Sequence, residues 1–418
     1  EELEEHVALF AFLAGYKDVE YKKADAVNIE AAEKMGSLHD ALKDAGYSGH
    51  ALEVYLVRLL FCLFADDTGI FEHDHFIRYV LQRTDIDGSD LAMHIQKIFE
   101  VLNTPKDKRL KTISDELNTF PYVDGNLFAE VLPIADFDHS MREALVDCAK
   151  LDWSRISPSI FGAMFQSVMN ADERHALGAH YTSEENILKV IHPLFLDELW
   201  QCFDSSLKLG ARAKVNSLNR LHERIARLQF LDPACGCGNF LVVAYRELRL
   251  LELSIIEELK KSDEQQVLDV GELIKVNVNQ FYGIELEEFP SQIAQTAMWL
   301  TDHQMNRLVA SRFGQYFVRI PLTASAKIVC GNALTLDWKD IVQPAELDYI
   351  LGNPPFLGSR KMDANQKAEL RAIFPNVKQT GDLDYVTCWY KKATTYIKGT
   401  SIECAFVSTN SICQGEQV

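Results

Sequence analysis

The stretch Phe230-Leu-Asp-Pro-Ala-Cys-Gly-Cys-Gly-Asn-Phe-Leu241 reads as a short strand, a glycine-rich turn and the start of a helix. The loop residues Ala234, Gly236 and Gly238 are candidates to line a ligand, because glycine lets the backbone approach closely. The helix N-terminus beyond them favours a negatively charged group. Taken alone, such a turn is structural more often than not. Asp232 at the strand end sharpens the reading: it would repel a pyrophosphate but would pair with the ammonium of an amino-acid cofactor. After a long helix and its loop, the strand FYGIE ends in Glu285, placed to accept hydrogen bonds from two ribose hydroxyls. A third strand, in IVCGNALTLDW, leads to Asn332, expected at an adenine edge. Amino-acid end, ribose and base are then met by three successive strand ends, which describes S-adenosyl-L-methionine.

A fourth strand, Leu347-Asp-Tyr-Ile-Leu351, runs into Gly352-Asn-Pro-Pro-Phe356. Pro354 and Pro355 lack backbone donors and stiffen the loop, leaving the Pro354 carbonyl to accept a hydrogen bond. Asn353 offers a second acceptor through its side-chain oxygen. Two converging acceptors would hold both protons of a planar amino group and aim its lone pair at an electrophile, while Phe356 stacks on the ring. This is chemistry for methylating a conjugated NH₂, and it requires no metal and no covalent intermediate.

Outward from these motifs, short apolar runs at Leu228–Leu231, Gln280–Ile284, Lys327–Val329, Asp348–Leu351 and Cys404–Val407 alternate with amphipathic helical stretches. That is the pattern of βαβ units and a mostly parallel, doubly wound, Rossmann-like sheet. Before Gly178 the texture differs. Leu52, Tyr55, Leu56, Leu59, Leu60, Leu63 and Phe64 recur at helical spacing, and turn signals near Gly46–Gly49, Asp85–Asp90, Thr104–Pro105 and Phe120–Asn126 predict five or more helices. The expected architecture is an all-α domain over 1–165 and an α/β catalytic domain over 166–418. Ser411–Val418 follow a predicted buried strand almost at once, so the chain is expected to be a fragment, truncated at its C-terminus.

The composition, 47% apolar and 25% charged over 418 residues, excludes disordered, collagen-like and coiled-coil classes. No run approaches the roughly 18 apolar residues of a membrane span, and the acidic start EELEEHVALF is unlike a signal peptide. Nine irregularly spaced cysteines point to free thiols in a reducing cytoplasm. The net charge of −19 opposes nonspecific attraction to a polyanion, but it is unevenly placed. Residues through Leu177 carry 17 basic and 32 acidic side chains, whereas those from Gly178 carry 25 and 29, so the region bearing the motifs is nearly balanced.

The order GAHYTSEE (Gly178–Glu185), FLDPACGCGNFL, FYGIELEE, IVCGNALTLDW, ILGNPPF and CAFVSTNSI resembles the gamma-type amino-methyltransferases of DNA. With LDWSRISPSIFGAMFQ (Leu151–Gln166) and GNPPFLGSR (Gly352–Arg360), the chain is similar more closely to the MmeI-like type IIG, or type IIL, restriction–modification enzymes. The resemblance covers nearly the whole chain. It implies a helical spacer domain followed by a class I methyltransferase domain that modifies adenine N6 in duplex DNA, in a bacterial cytoplasm. By this resemblance Tyr181 and Thr182 lie against the methionine part of the cofactor, Asp232 and Gly236 flank the same end, Glu285 takes the ribose and Asn332 sits near the adenine. Asn353, Pro354 and Phe356 match the residues that receive a flipped-out adenine. Cys237 stands where Ser or Thr is more frequent, which leaves the turn intact but removes a hydroxyl. The alternatives are transfer to cytosine N4, to RNA or to a protein glutamine, or a non-catalytic DNA-recognition scaffold.

By the same resemblance, a nuclease domain before the spacer and a target-recognition domain after the methyltransferase are expected in the full-length chain. Glu20-Tyr21-Lys22, the only early Glu-x-Lys, lacks a preceding acidic partner and strand, and reads as a chance match to a nuclease motif. His73 and His75 are not on one helix face, and the Cys235-x-Cys237 pair has no second pair nearby, so no metal site is expected. Trp153, Phe161 and Phe165 read as core. Lys391 and Lys392 are either phosphate contacts or a solvated helix face.

Overall fold

A computed structural model describes residues 25–123, 127–156, 182–262, 273–313, 326–375 and 380–413. Tyr181, Phe161, Phe165 and the Glu20-Tyr21-Lys22 tripeptide lie outside the described residues. The chain divides into two compact units, Glu1–Val168 with Asn306–Ser325, and Met169–Met305 with Ala326–Val418.

The described part of the first unit is helical, with α1 (Asp25–Asp44), α2 (His50–Thr68), α3 (His75–Arg83), α4 (Leu91–Leu102), the short α5 (Asp115–Thr119) and α6 (His139–Ala149). Helix α2 is buried almost all round, which explains why its apolar residues form near-continuous runs rather than one stripe. Its one buried cation, Arg58, is satisfied by the carbonyls of Leu127 and Glu130 at 2.8 Å each and lies over the rings of Phe99 and Phe128. Asp66 accepts hydrogen bonds from the N–H groups of Phe76 and Ile77, two donors that the start of α3 leaves without helical partners. His75 bonds the Glu116 carbonyl and Thr119, and Trp153 is fully buried with its indole N–H on the Cys148 carbonyl.

In the second unit α7 (Glu184–Ile191) continues through a π turn into α8 (Asp197–Leu207), and α9 (Ala211–Ile225) follows. Then come β1 (Phe230–Asp232), α10 (Asn239–Ser262), β2 (Phe281–Glu285), α11 (Glu288–Phe313, in this unit through Met305), β3 (Lys327–Cys330), β4 (Tyr349–Gly352), α12 (Ala364–Ile373), α13 (Thr387–Tyr396) and β5 (Glu403–Phe406). The five strands are all parallel, in the order β3-β2-β1-β4-β5.

Side chains alternate across the sheet as the two-residue period of a strand requires. Phe230, Phe281 and Tyr349 stack on one face, where Phe195 and Tyr245 meet them. Leu231, Ile284 and Ile350 enter a core on the other face with Trp338, Tyr385 and Trp389. Both faces are therefore covered, the condition under which a parallel sheet is stable. After β3 the chain returns to the far side of β1, so the order reverses between β1 and β4. A crevice at the carboxyl ends of strands flanking such a reversal is the ordinary ligand site of open α/β sheets.

Candidate active site

The backbone of the glycine turn is anchored by the strands around it. The Ala234 N–H donates to Asp232 Oδ1 at 3.0 Å, the Cys235 N–H to the Ile284 carbonyl at 3.0 Å, and the Gly236 N–H to Glu285 Oε2 at 2.8 Å. Glu285 Oε1 accepts from the Glu287 N–H. Gly238 has φ +83°, and a Cβ there would meet the Cβ of Ala294 at 3.0 Å, so this position admits glycine alone without displacing α11. The turn thus brings together Asp232, Ala234, Gly236, Gly238 and Glu285.

Asp232 is almost completely buried. Burial pushes its carboxyl up to about 8, against the pull of the Ala234 N–H and with a contribution from the neighbouring Glu285 charge. Burial also raises Glu285, opposed by the N–H groups of Glu287 and Gly236. Two desolvated carboxyls over one turn suit a ligand carrying an ammonium group and hydroxyls, and they disfavour a phosphate. The first residue of α10, Asn239, holds a buried Oδ1 with no hydrogen-bond partner.

Across the β1/β4 reversal, Gly352 lies against Asp232. A Cβ at Gly352, whose φ is +151°, would sit 2.9 Å from the Asp232 carboxyl carbon and closer still to Oδ1. Asn353 follows at once. Its Nδ2 donates to Thr182 Oγ1 at 2.9 Å, and its Oδ1 is buried with no partner. Pro354 is buried, and no hydrogen bond from the described residues reaches its carbonyl. Pro355 and Phe356 are half-buried beside it. Among the described residues, the two oxygen atoms expected from the sequence at this lip thus have no donor.

Asn332 is occupied differently. Its Oδ1 accepts from the Leu334 N–H at 2.8 Å and its Nδ2 donates to Glu369, which also accepts from the Tyr385 hydroxyl. The side chain therefore shapes the turn after β3, and Glu369 and Tyr385 join the site's rim. Sequence reasoning missed both, along with Asp384, whose Oδ1 accepts from the N–H groups of Leu357 and Val386 and so clamps the exit of the lip. The available signal was Asp384-Tyr385-Val386 just ahead of α13, an acid where a helix start leaves donors exposed. Trp389 on α13 donates its indole N–H to the Pro233 carbonyl at 3.0 Å, tying the glycine turn to that helix.

Of the two lysines on α13, Lys392 donates to the carbonyls of Leu334 and Leu336 and lies over Trp338, whereas Lys391 is exposed. Among the described residues, no group of three or more His, Cys, Asp or Glu stands together in a way that could hold a metal ion.

Residues 209–418 match the model of the MmeI DNA-methyltransferase domain, 50–128 that of the MmeI helicase spacer domain and 1–45 that of the MmeI N-terminal domain. The chain belongs to the MmeI family. It is similar to a structure of the type IIL restriction–modification enzyme MmeI in complex with DNA, at 57% identity and a TM-score of 0.86, over 93% of this chain and 51% of that one. It is also 39% identical to DNA methyltransferase A of Bacillus subtilis (strain 168), over 100% of this chain and 47% of that protein. The chain spans about half the length of these relatives. The glycine turn, both carboxyls and the diproline lip all fall within the matched methyltransferase domain.

Proposed function

We propose that this chain methylates the exocyclic N6 of an adenine turned out of duplex DNA, using S-adenosyl-L-methionine, as the modification part of a restriction–modification enzyme. The observation that carries the reading is the lip at Asn353 and Pro354, where two oxygen acceptors without partners among the described residues adjoin the buried carboxyl of Asp232 across one strand reversal. A nucleobase NH₂ has two protons to give such a pair, and fixing both leaves the nitrogen lone pair oriented. When bound, the cofactor supplies an electrophilic methyl group. Asp232 would take its ammonium, Glu285 its ribose hydroxyls and the rim around Asn332 its adenine, with Ala234, Gly236 and Gly238 forming the floor. Tyr181 and Thr182 belong to the same cofactor reading through the resemblance. Phe356 would stack on the extruded base.

On this reading the spacer domain lies within the helical region 1–165, behind the N-terminal-domain match at 1–45, and 166–418 form the catalytic domain, with nuclease and target-recognition functions in the full-length protein. A bacterial cytoplasm is the proposed location. All nine cysteines are free, and no helix among the described residues is long and apolar enough to cross a membrane. The test is incubation of the full-length protein with duplex DNA and tritiated cofactor, followed by nucleoside mass spectrometry. N6-methyldeoxyadenosine is expected; label in N4-methyldeoxycytidine, in RNA or in protein instead would refute the assignment.

The raised carboxyl gives a second expectation. The folded chain keeps the Asp232 proton up to about pH 8, whereas an unfolded Asp loses it near pH 4. Without ligand, this group therefore lowers stability as pH rises from about 4 to about 8. An arriving ammonium displaces the proton, so cofactor binding at pH 7 should release close to one proton, falling toward none well above pH 8. Calorimetry in buffers of different ionisation enthalpy measures this, and Asp232→Asn should abolish the release while stabilising the unliganded protein at pH 7.5.

A further inference from the structure

We infer that Thr182 is a positioning residue of the acceptor site, setting which end of the Asn353 amide faces the nucleobase. The inference rests on the proposed methyl transfer to an amino group and assigns Thr182 a task beyond the cofactor contact that the resemblance implies. An asparagine amide is nearly symmetric in shape but opposite in chemistry at its two ends, and its terminal torsion has two broad wells. In one well Oδ1 meets the amino group of the base. In the other, Nδ2 meets it, donors face donors, and the lip repels the group it is built to hold.

In this structure Thr182 holds the amide in the first well. Its Oγ1 accepts from Nδ2 at 2.9 Å, and it is itself nearly buried, so water competes little for that bond. With Nδ2 tied down, the planar amide directs Oδ1 the opposite way, where it is buried and unpartnered. Leaving a carbonyl oxygen so placed is costly unless a donor arrives, and the incoming amino group is that donor. The bond joins residues 171 apart, linking the segment ahead of α7 to the end of β4.

The experiment compares Thr182→Val, which keeps shape and removes the acceptor, with Thr182→Ser, which keeps the hydroxyl, both in the full-length protein. Thr182→Val is expected to lower kcat at saturating S-adenosyl-L-methionine roughly 10–100-fold, the loss of one buried hydrogen bond, beyond any weakening of cofactor binding that titration calorimetry records. Thr182→Ser should recover most of the rate. In an Asn353→Asp background, where an oxygen faces the base whichever way the group lies, Thr182→Val should cost far less than in the wild type. Unaltered kcat in Thr182→Val, weakened cofactor binding with kcat intact at saturation, or an equal loss in the Asn353→Asp background would each overturn the inference. A wild-type protein that methylates no adenine would instead overturn the function on which the inference rests.

Discussion

Asn353→Ala should lose methyl transfer by roughly 10²–10³-fold or more while binding S-adenosyl-L-methionine about as tightly as the wild type. The substitution removes Oδ1, the buried acceptor without a partner, and leaves the Pro354 carbonyl to hold the amino group alone. None of the hydrogen bonds that fix the glycine turn involves Asn353: they run from Ala234 to Asp232, from Cys235 to Ile284 and from Gly236 to Glu285. The melting temperature should fall only modestly, since the unpartnered Oδ1 contributes nothing favourable to the folded state and the loss is confined to the one bond from Nδ2 to Thr182. Radiolabel transfer and calorimetric titration on the same preparation separate the two quantities. Parallel loss of transfer and of cofactor affinity would contradict the division between a cofactor turn and an acceptor lip.

Gly352→Ala should produce the complementary pattern. Its Cβ would overlap a carboxylate that is itself buried and held by the Ala234 N–H, so neither partner can simply swing aside. At φ +151° the alanine backbone is strained besides. Overpacking and strain together should cost about 2–5 kcal/mol, a fall in melting temperature of roughly 5–15 °C for a unit of this size. Because the displaced group is Asp232, cofactor affinity should fall with stability. A variant that melts like the wild type and binds cofactor normally would show that β1 and β4 can separate at their ends, against the close approach described above.

Much of this site was legible because its parts are local. Each of the five strands is a short apolar run closed by Gly, Asp or a turn, and all five stand within two residues of the positions read from the sequence. Asp232, Glu285 and Asn353 sit at strand ends, where a parallel sheet gathers its chemistry whatever the strand order. What the sequence could not display is partnership over distance. Asn332 looks like a free loop amide until Glu369 is brought to it from 37 residues on. Lys392 looks like a candidate for phosphate until the carbonyls of Leu334 and Leu336 take up its ammonium. Thr182 and Asn353 were each visible in a motif, but no spacing rule joins residues 171 apart.

The strand order also governs how the polypeptide behaves while it is being made. β1, β2 and β3 can assemble as they leave the ribosome, yet the other margin of β1 waits for β4, with Gln229 and Asp348, bonded to each other, 119 residues apart. Until then β1 offers an open, apolar edge of the kind that recruits foreign strands. A nascent chain stalled before Asp348 should therefore aggregate or engage chaperones, and soluble expression of shortened versions should rise abruptly once β4 is included.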